Sequence, residues 1–247
     1  MNDWLNSERL SKEVKDRFFP YCQKMLTIHG REIQSIFIYG SATGVNYIPQ
    51  KSDINSGFVF RSINFEMLRR SLRVVSSGIR KKIAAPLFLT KEHIQSSLDV
   101  FPIEFLDMKE NYTLIFGEDV LSPLEIKSGH IRLFCEQQIK GKLIRIRQAF
   151  LEVGLKKKGV EALLKESLHS LIPVFRNLIR LKGQTPSVHK LEILRQISQE
   201  FSLDENVFLP IYRDTADDEK IDNQDIELFL KKYISELATL ADRVDQL

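Results

Sequence analysis

The chain has 247 residues, 43% hydrophobic and 28% charged, with a net charge of +3. That is the composition of a soluble globular protein with room for one large domain or two modest ones. No apolar run approaches a membrane span, and the N-terminal stretch through Phe19 mixes charges of both signs without a signal-peptide core, so a cytoplasmic protein with no membrane partner is expected.

Leu5, Leu10, Val14, Phe18, Cys22 and Met25 recur at helical spacing and predict an amphipathic helix over 3–28, kinked or broken at Pro20. Ile36-Phe37-Ile38-Tyr39 reads as a strand ending at Gly40-Ser41. Residues 42–52 are turn-like, and Ile54 to Phe60 is a second strand. Leu68, Leu72, Val75 and Ile79 share a face of a helix over 64–82. Pro86 to Thr90 reads as a third strand, followed by a short helix over 91–98 capped by Thr90. Phe101 to Met108 reads as a fourth strand, and Asn111 to Phe116 as a short extra one. From about residue 124 almost every segment has helical period. Ile139, Leu143, Ile146, Phe150 and Val153 mark the clearest helix, and further helices fit 160–182 (bent at Pro173), 187–201, 204–212 and 223–246. The expected fold class is α+β: a domain over 1–122 built on a small mixed β-sheet with flanking helices, then an all-α helical bundle over 123–247.

Charge is unevenly spread. Residues 127–182 hold 13 Lys/Arg against 4 Asp/Glu, whereas residues 183–247 hold 7 against 14. Solvated helix faces, mutual attraction within the fold and a phosphate-facing surface are all compatible with this contrast. Cys22 and Cys135 are too few for a disulfide framework and read as buried, reduced thiols. The five histidines are scattered without ligand spacing.

One segment carries chemistry. A strand that ends at Gly40-Ser41 lets backbone approach a ligand closely, and a helical turn starting there would offer free amides to a phosphate. The chain then re-enters the sheet at Ser52-Asp53-Ile54-Asn55, where period two puts Asp53 and Asn55 on one face. Two adjacent oxygen ligands at a strand end suit a Mg²⁺-triphosphate. Glu104, flanked by Ile103 and Phe105, is an acid in an apolar segment and therefore a candidate third ligand; Asp107 is the second choice.

This pattern resembles the nucleotidyltransferase superfamily of DNA polymerase beta and the aminoglycoside nucleotidyltransferases of the kanamycin type. The likeness covers roughly residues 34–120. In that superfamily a strand ends in Gly-Ser, the next strand carries two acids one position apart, and a third carboxylate comes from a later strand. The resemblance implies that Gly40 and Ser41 hold the triphosphate and that Asp53, Asn55 and Glu104 bind Mg²⁺ or Mn²⁺, with Asp53 and Glu104 the catalytic pair. It implies transfer of a nucleoside monophosphate from a nucleoside triphosphate to a hydroxyl acceptor, either a small molecule or a protein. In members with a helical C-terminal domain, that domain helps to shape the acceptor site, and here it offers Lys140, Lys142, Arg145 and Arg147. Two departures stand out. Asn55 occupies the second acidic position, so it brings no charge and cannot act as a base. Ala42-Thr43-Gly44 follows where many members carry an arginine. The alternative is therefore a binding or regulatory module whose chemistry Asn55 has disabled. A homodimer is compatible with the sequence. Nucleic acid is not a favoured partner, because no helix-turn-helix signature is present. A helical RNase is disfavoured because Arg180 and His189 are separated by Gly183 and Pro186.

Overall fold

The computed structural model describes residues 4–44, 47–48, 52–154, 156–216 and 226–247. They form two compact units, one through Ile126 and one from Lys127 onward.

The first unit opens with a 3₁₀ turn, Ser7–Arg9, and then α1, Lys12–His29. The helix begins later than its apolar spacing suggests. The Ser11 side chain accepts from the Val14 amide (3.3 Å) and caps it there. Pro20 does not end the helix: α1 runs through it, and Pro20 is exposed. Strand β1, Ile33–Tyr39, follows, then β2, Asn55–Phe60; α2, Phe65–Ile79; β3, Leu87–Thr90; and α3, Lys91–Ser96. Asn64 caps α2 by accepting from the Met67 amide (3.0 Å), and Thr90 caps α3 by accepting from His93 (3.1 Å).

The segment read as a fourth strand over 101–108 is instead helix α4, Pro102–Glu110. Pro102 sits in the first turn, where a missing N–H costs nothing and the fixed φ suits a helix. Ile103, Phe105 and Met108 are buried, and Glu104 is exposed in the acid-favouring first turn. A short apolar run of this kind fits either period, and the proline decides it. The fourth strand is β4, Tyr112–Gly117.

The sheet order is β3-β2-β1-β4, with β1 antiparallel to both β2 and β4 and β2 parallel to β3. Period two then sorts the side chains. Ile36, Ile38, Ile54, Phe58 and Phe60 face a core shared with Phe18, Cys22 and Met25 of α1 and Met67 of α2. Phe37 and Val59 face a second core shared with Ile94 of α3 and with Phe105 and Met108 of α4.

A histidine in the first core makes stability depend on pH. His29 is buried, with Nε2 2.8 Å from Ser71 Oγ; Ser71 itself donates to Met67 O (2.9 Å), so the ring donates to Ser71. Its other nitrogen, Nδ1, has no partner among the described residues. Burial first, and Arg70 second, lower its pKa below the ordinary 6.5. Between that lowered value and 6.5 the unfolded chain binds a proton that the native state refuses. Stability should therefore be complete above pH 6.5 and fall as the pH drops through it. Urea midpoints at pH 7.5 and 5.5 check this, and His29→Gln should flatten the difference.

The second unit comprises α5, Ser128–Val153; α6, Lys157–Leu181; α7, Lys190–Glu200; α8, Glu205–Ala216; and α9, Ile226–Asp245. Ile131, Cys135, Ile139, Leu143 and Ile146 give α5 its buried stripe. Phe208 packs edge-on between Phe175 and Tyr233, and the Tyr233 hydroxyl lies 2.9 Å from Ser167 Oγ. Part of the basic segment is neutralised within this unit by the acidic one: Lys165 pairs with Asp214 (2.7 Å), and Lys140 lies 3.9 Å from Asp245. Cys22 and Cys135 are both buried and free, and burial raises both thiol pKa values, that of Cys135 to about 12. Among the described residues no helix is long and apolar enough to cross a membrane.

Candidate functional site

Strand β1 stops where Gly40 turns the chain. Gly40 has φ of 77°, a left-handed value that favours glycine, and its amide donates to Asn111 O (2.9 Å). A 3₁₀ turn, Gly40–Thr43, follows, held by Thr43 Oγ1 donating to Gly40 O (2.8 Å). Ser41 is exposed in this turn.

The antiparallel register sets Tyr39 opposite Asn55 on one side and opposite Tyr112 on the other. A row Asn55–Tyr39–Tyr112 therefore crosses the sheet at the edge from which the Gly40 turn projects. A Cβ on Gly40 would stand 3.6 Å from Asn55 Nδ2, so the turn and the amide adjoin directly. Asn55 itself is half-buried. Gly57, two residues on, is covered by Phe37: a Cβ there would meet the ring at 2.2 Å.

Asp53 precedes β2, and its side chain is 53% exposed. It carries an ion pair that sequence periodicity did not reveal, with Lys82 Nζ 3.9 Å from its Oδ1. Lys82 is positioned by backbone. It adopts a left-handed φ of 62°, its carbonyl accepts from the Ile54 amide (2.8 Å), and Ala84 N donates to Ile54 O (3.0 Å). The crossover from α2 into a strand parallel to β2 returns this turn to the start of β2. No local signal in Lys81-Lys82 announces that return.

Tyr112 and Asp119 close the other end of the row. The Tyr112 hydroxyl donates to Asp119 Oδ2 (2.6 Å), and the amides of Leu121 and Ser122 donate to Asp119 Oδ1 (both 3.1 Å). Burial, then the bond to Asp119, push the Tyr112 pKa up to about 12. Although burial opposes it, these three donors hold the Asp119 carboxyl below its ordinary value. The Gly117-Glu118-Asp119 stretch, which reads in sequence as a solvated loop, is thus half fastened: Asp119 folds the turn, and Glu118 reaches Lys91 (2.5 Å).

Gly40, Ser41 and Asn55 are therefore brought to one edge of the sheet, with Asp53 two residues before Asn55. Glu104 is not on that sheet. It lies exposed on the first turn of α4 and makes no hydrogen bond or ion pair with a described residue. None of the four strands contains an aspartate or a glutamate. Among the described residues there is no group of three or more His, Cys, Asp or Glu that could hold a metal ion. The donors that remain, one carboxylate and one amide oxygen, fit a single Mg²⁺ that takes its other ligands from phosphates and water. They do not fit a pair of ions. In the second unit Lys140 is committed to Glu136 (2.5 Å), which also holds Arg132 (2.8 Å). Burial, then Arg145, lower the pKa of Lys142.

No protein-family model and no curated protein matches the chain. Solved structures do. A nucleotidyltransferase-like protein from Exiguobacterium sibiricum aligns over 94% of this chain and 75% of its own, with 13% identity and a TM-score of 0.46. Spectinomycin adenyltransferase AAD(9) from Enterococcus faecialis, in a crystal structure with ATP and spectinomycin, aligns over 89% of this chain and 98% of its own, with 11% identity and a TM-score of 0.51. At that identity the second likeness speaks for architecture alone: the chain has the nucleotidyltransferase fold.

Proposed function

We propose that the chain binds a nucleoside triphosphate with one divalent cation at the Gly40 turn and slowly transfers its nucleoside monophosphate to a hydroxyl acceptor. The observation that carries this reading is the closeness of Gly40 to Asn55, whose Nδ2 would stand 3.6 Å from a Cβ there, at the start of a turn in which Ser41 is exposed. The turn amides and Ser41 Oγ would hold the β- and γ-phosphates. Asp53 Oδ and Asn55 Oδ1 would hold Mg²⁺ or Mn²⁺, which would supply charge neutralisation at the triphosphate. Lys82 would exchange its weak, exposed pair with Asp53 for a phosphate oxygen. Glu104 is the proposed base. This role is carried over from the resemblance: Glu104 is exposed on the first turn of α4, whereas it is the buried Phe105 and Met108 of that helix that pack on the sheet face of Phe37 and Val59. The neighbour's ATP and spectinomycin support a small-molecule acceptor.

A second reading, nucleotide binding without transfer, would follow from the amide at 55 and from the lack of any carboxylate in the four strands. Labelled nucleoside triphosphates, Mg²⁺ or Mn²⁺ and a panel of hydroxyl acceptors separate the two. Asp53→Ala is expected to weaken triphosphate binding in Mg²⁺ about tenfold, the value of one charged ligand. It should also abolish acceptor labelling, and Glu104→Gln should lower labelling while leaving binding intact. Wild-type affinity for triphosphate unchanged by Asp53→Ala would overturn both readings. Tight binding without labelled acceptor would leave only the second.

A further inference from the structure

Helix α2 carries two stripes along its length, and the fold buries the less apolar one. Met67, Ser71 and Gly78 form the buried stripe, with Val74 half-buried beside them. It packs against α1: Ser71 Oγ lies 2.8 Å from His29, and a Cβ on Gly78 would stand 2.8 Å from the Tyr21 ring. The second stripe holds Leu68, Leu72, Val75 and Ile79, the face legible in the sequence, together with Phe65. These five residues follow one another at spacings of three, four, three and four. Phe65 is 79% exposed, Leu72 63% and Ile79 56%, and Leu68 is exposed as well. At 3.6 residues per turn the five side chains share an arc of about 80°. Single exposed apolar residues are ordinary, but a continuous row of them on one helix marks a contact surface.

Charge borders this stripe on one side. Next round the helix come Arg69, Arg80 and Arg73, all exposed, and then Glu66. Arg69 lies 3.8 Å from Glu66 in a weak surface pair, and the side chains of Arg73 and Arg80 make no ion pair with a described residue. On its other side the stripe runs directly into the buried face.

We propose that α2 docks an amphipathic helix of a partner protein whose own apolar seam is flanked by Asp or Glu. A three-four repeat confined to so narrow an arc is the seam by which one helix packs along another. A helix that lies in a lipid surface presents a broader apolar face, so the ridge suits a helix better than a bilayer. A second copy of α2 fits poorly. In an antiparallel pair the two arginine flanks would meet each other. In a parallel pair each arginine flank would meet the face that is already packed on α1. Carboxylates on a partner helix answer the arginine flank with opposite charge, which fixes the register and disfavours the self-pair.

The probe is a synthetic helical peptide of about three heptads with leucine at both seam positions and glutamate on the flanks. A second peptide carries lysine in place of the glutamate, and like charge keeps each peptide from pairing with itself. Each is titrated onto the whole chain and followed by fluorescence anisotropy. Saturable binding of the glutamate peptide is expected, with the lysine peptide about tenfold weaker or more. Leu72→Gln should weaken the glutamate peptide about tenfold, the effect of one leucine no longer buried. Arg69→Glu combined with Arg73→Glu should invert the preference, so that the lysine peptide binds more tightly, a result that damage to the fold would not produce. All three positions are exposed, and circular dichroism verifies that the variants fold. Sedimentation velocity of the chain alone and co-sedimentation with phosphatidylglycerol vesicles test the other occupants. A dimer that Leu72→Gln dissociates would assign the stripe to a second copy, and vesicle binding that Leu72→Gln abolishes would assign it to lipid. Either result overturns the proposal, as does a glutamate peptide that fails to bind, or that binds no more tightly than the lysine peptide.

Discussion

Asn55→Asp is expected to raise the rate of acceptor labelling about a hundredfold, the scale on which a positioned general base or equivalent carboxylate contributes. The backbone is already arranged for it. Asn55 is opposite Tyr39 in the sheet, its side chain adjoins Gly40, and Asp53 is on the same face by period two. An aspartate has nearly the same shape, so the change adds charge and basicity without repacking. Two carboxylates one position apart repel each other, but Lys82 stands 3.9 Å from Asp53 and both positions have access to solvent, which keeps the cost in stability small. With a cation present, the pair becomes a stronger ligand set. Initial rates of pyrophosphate release, with and without acceptor, measure the effect. A fall in triphosphate affinity with no gain in rate would mean that the Nδ2 donor facing Gly40 is what the site uses, and the chain would then be a binding module built on the amide.

The parts of this fold that could be read from sequence are those where one signal dominates locally. Thr90 caps α3 because a hydroxyl preceding Lys91-Glu92-His93 has an orphan amide to accept from, and the structure shows that bond at 3.1 Å. The Ile36–Tyr39 run ends at Gly40-Ser41 because only glycine takes the left-handed turn easily, and its φ is 77°. Where two signals compete, the reading fails. Phe101–Met108 is a short apolar run that fits a strand as well as a helix, yet Pro102 at the helix start and a buried Ile103, Phe105 and Met108 make it α4. That error placed Glu104 on the sheet when it belongs to a covering helix. Pro20 looked like an interruption, but helix α1 continues through it, with Phe18, Tyr21, Cys22 and Met25 around it buried in the core. Lys82 was invisible for a different reason. Its proximity to Asp53 comes from a parallel crossover spanning α2, and such a contact is written in topology, not in neighbouring residues. The loop at Asp119 was missed similarly, since its partner Tyr112 lies at the far end of a strand.

Gly117→Ala should destabilise the first unit by about 3 kcal/mol or more, a large share of the stability of a typical domain. Gly117 ends β4 with φ of 78°, so any side chain there is strained from the outset. The closer constraint is steric. A Cβ would sit 2.0 Å from the Gln34 carbonyl oxygen, which is β1 backbone and cannot rotate aside. The same carbonyl accepts from the Glu118 amide (3.1 Å), so relief of the clash breaks the bond that closes the strand end. That strand end leads into Glu118 and Asp119, which hold Lys91 and Tyr112, and Tyr112 belongs to the row that carries the Gly40 turn. Loss of nucleotide binding should therefore accompany the fall in stability. Gly30→Ala is the control. Gly30 also has positive φ, 52°, but a Cβ there meets nothing within 4 Å, so it should lose only the conformational term of about 1 kcal/mol. Urea midpoints of the two variants decide the matter. Equal losses would mean that backbone strain alone sets the cost, and that β4 can move away from β1 far enough to accept a side chain.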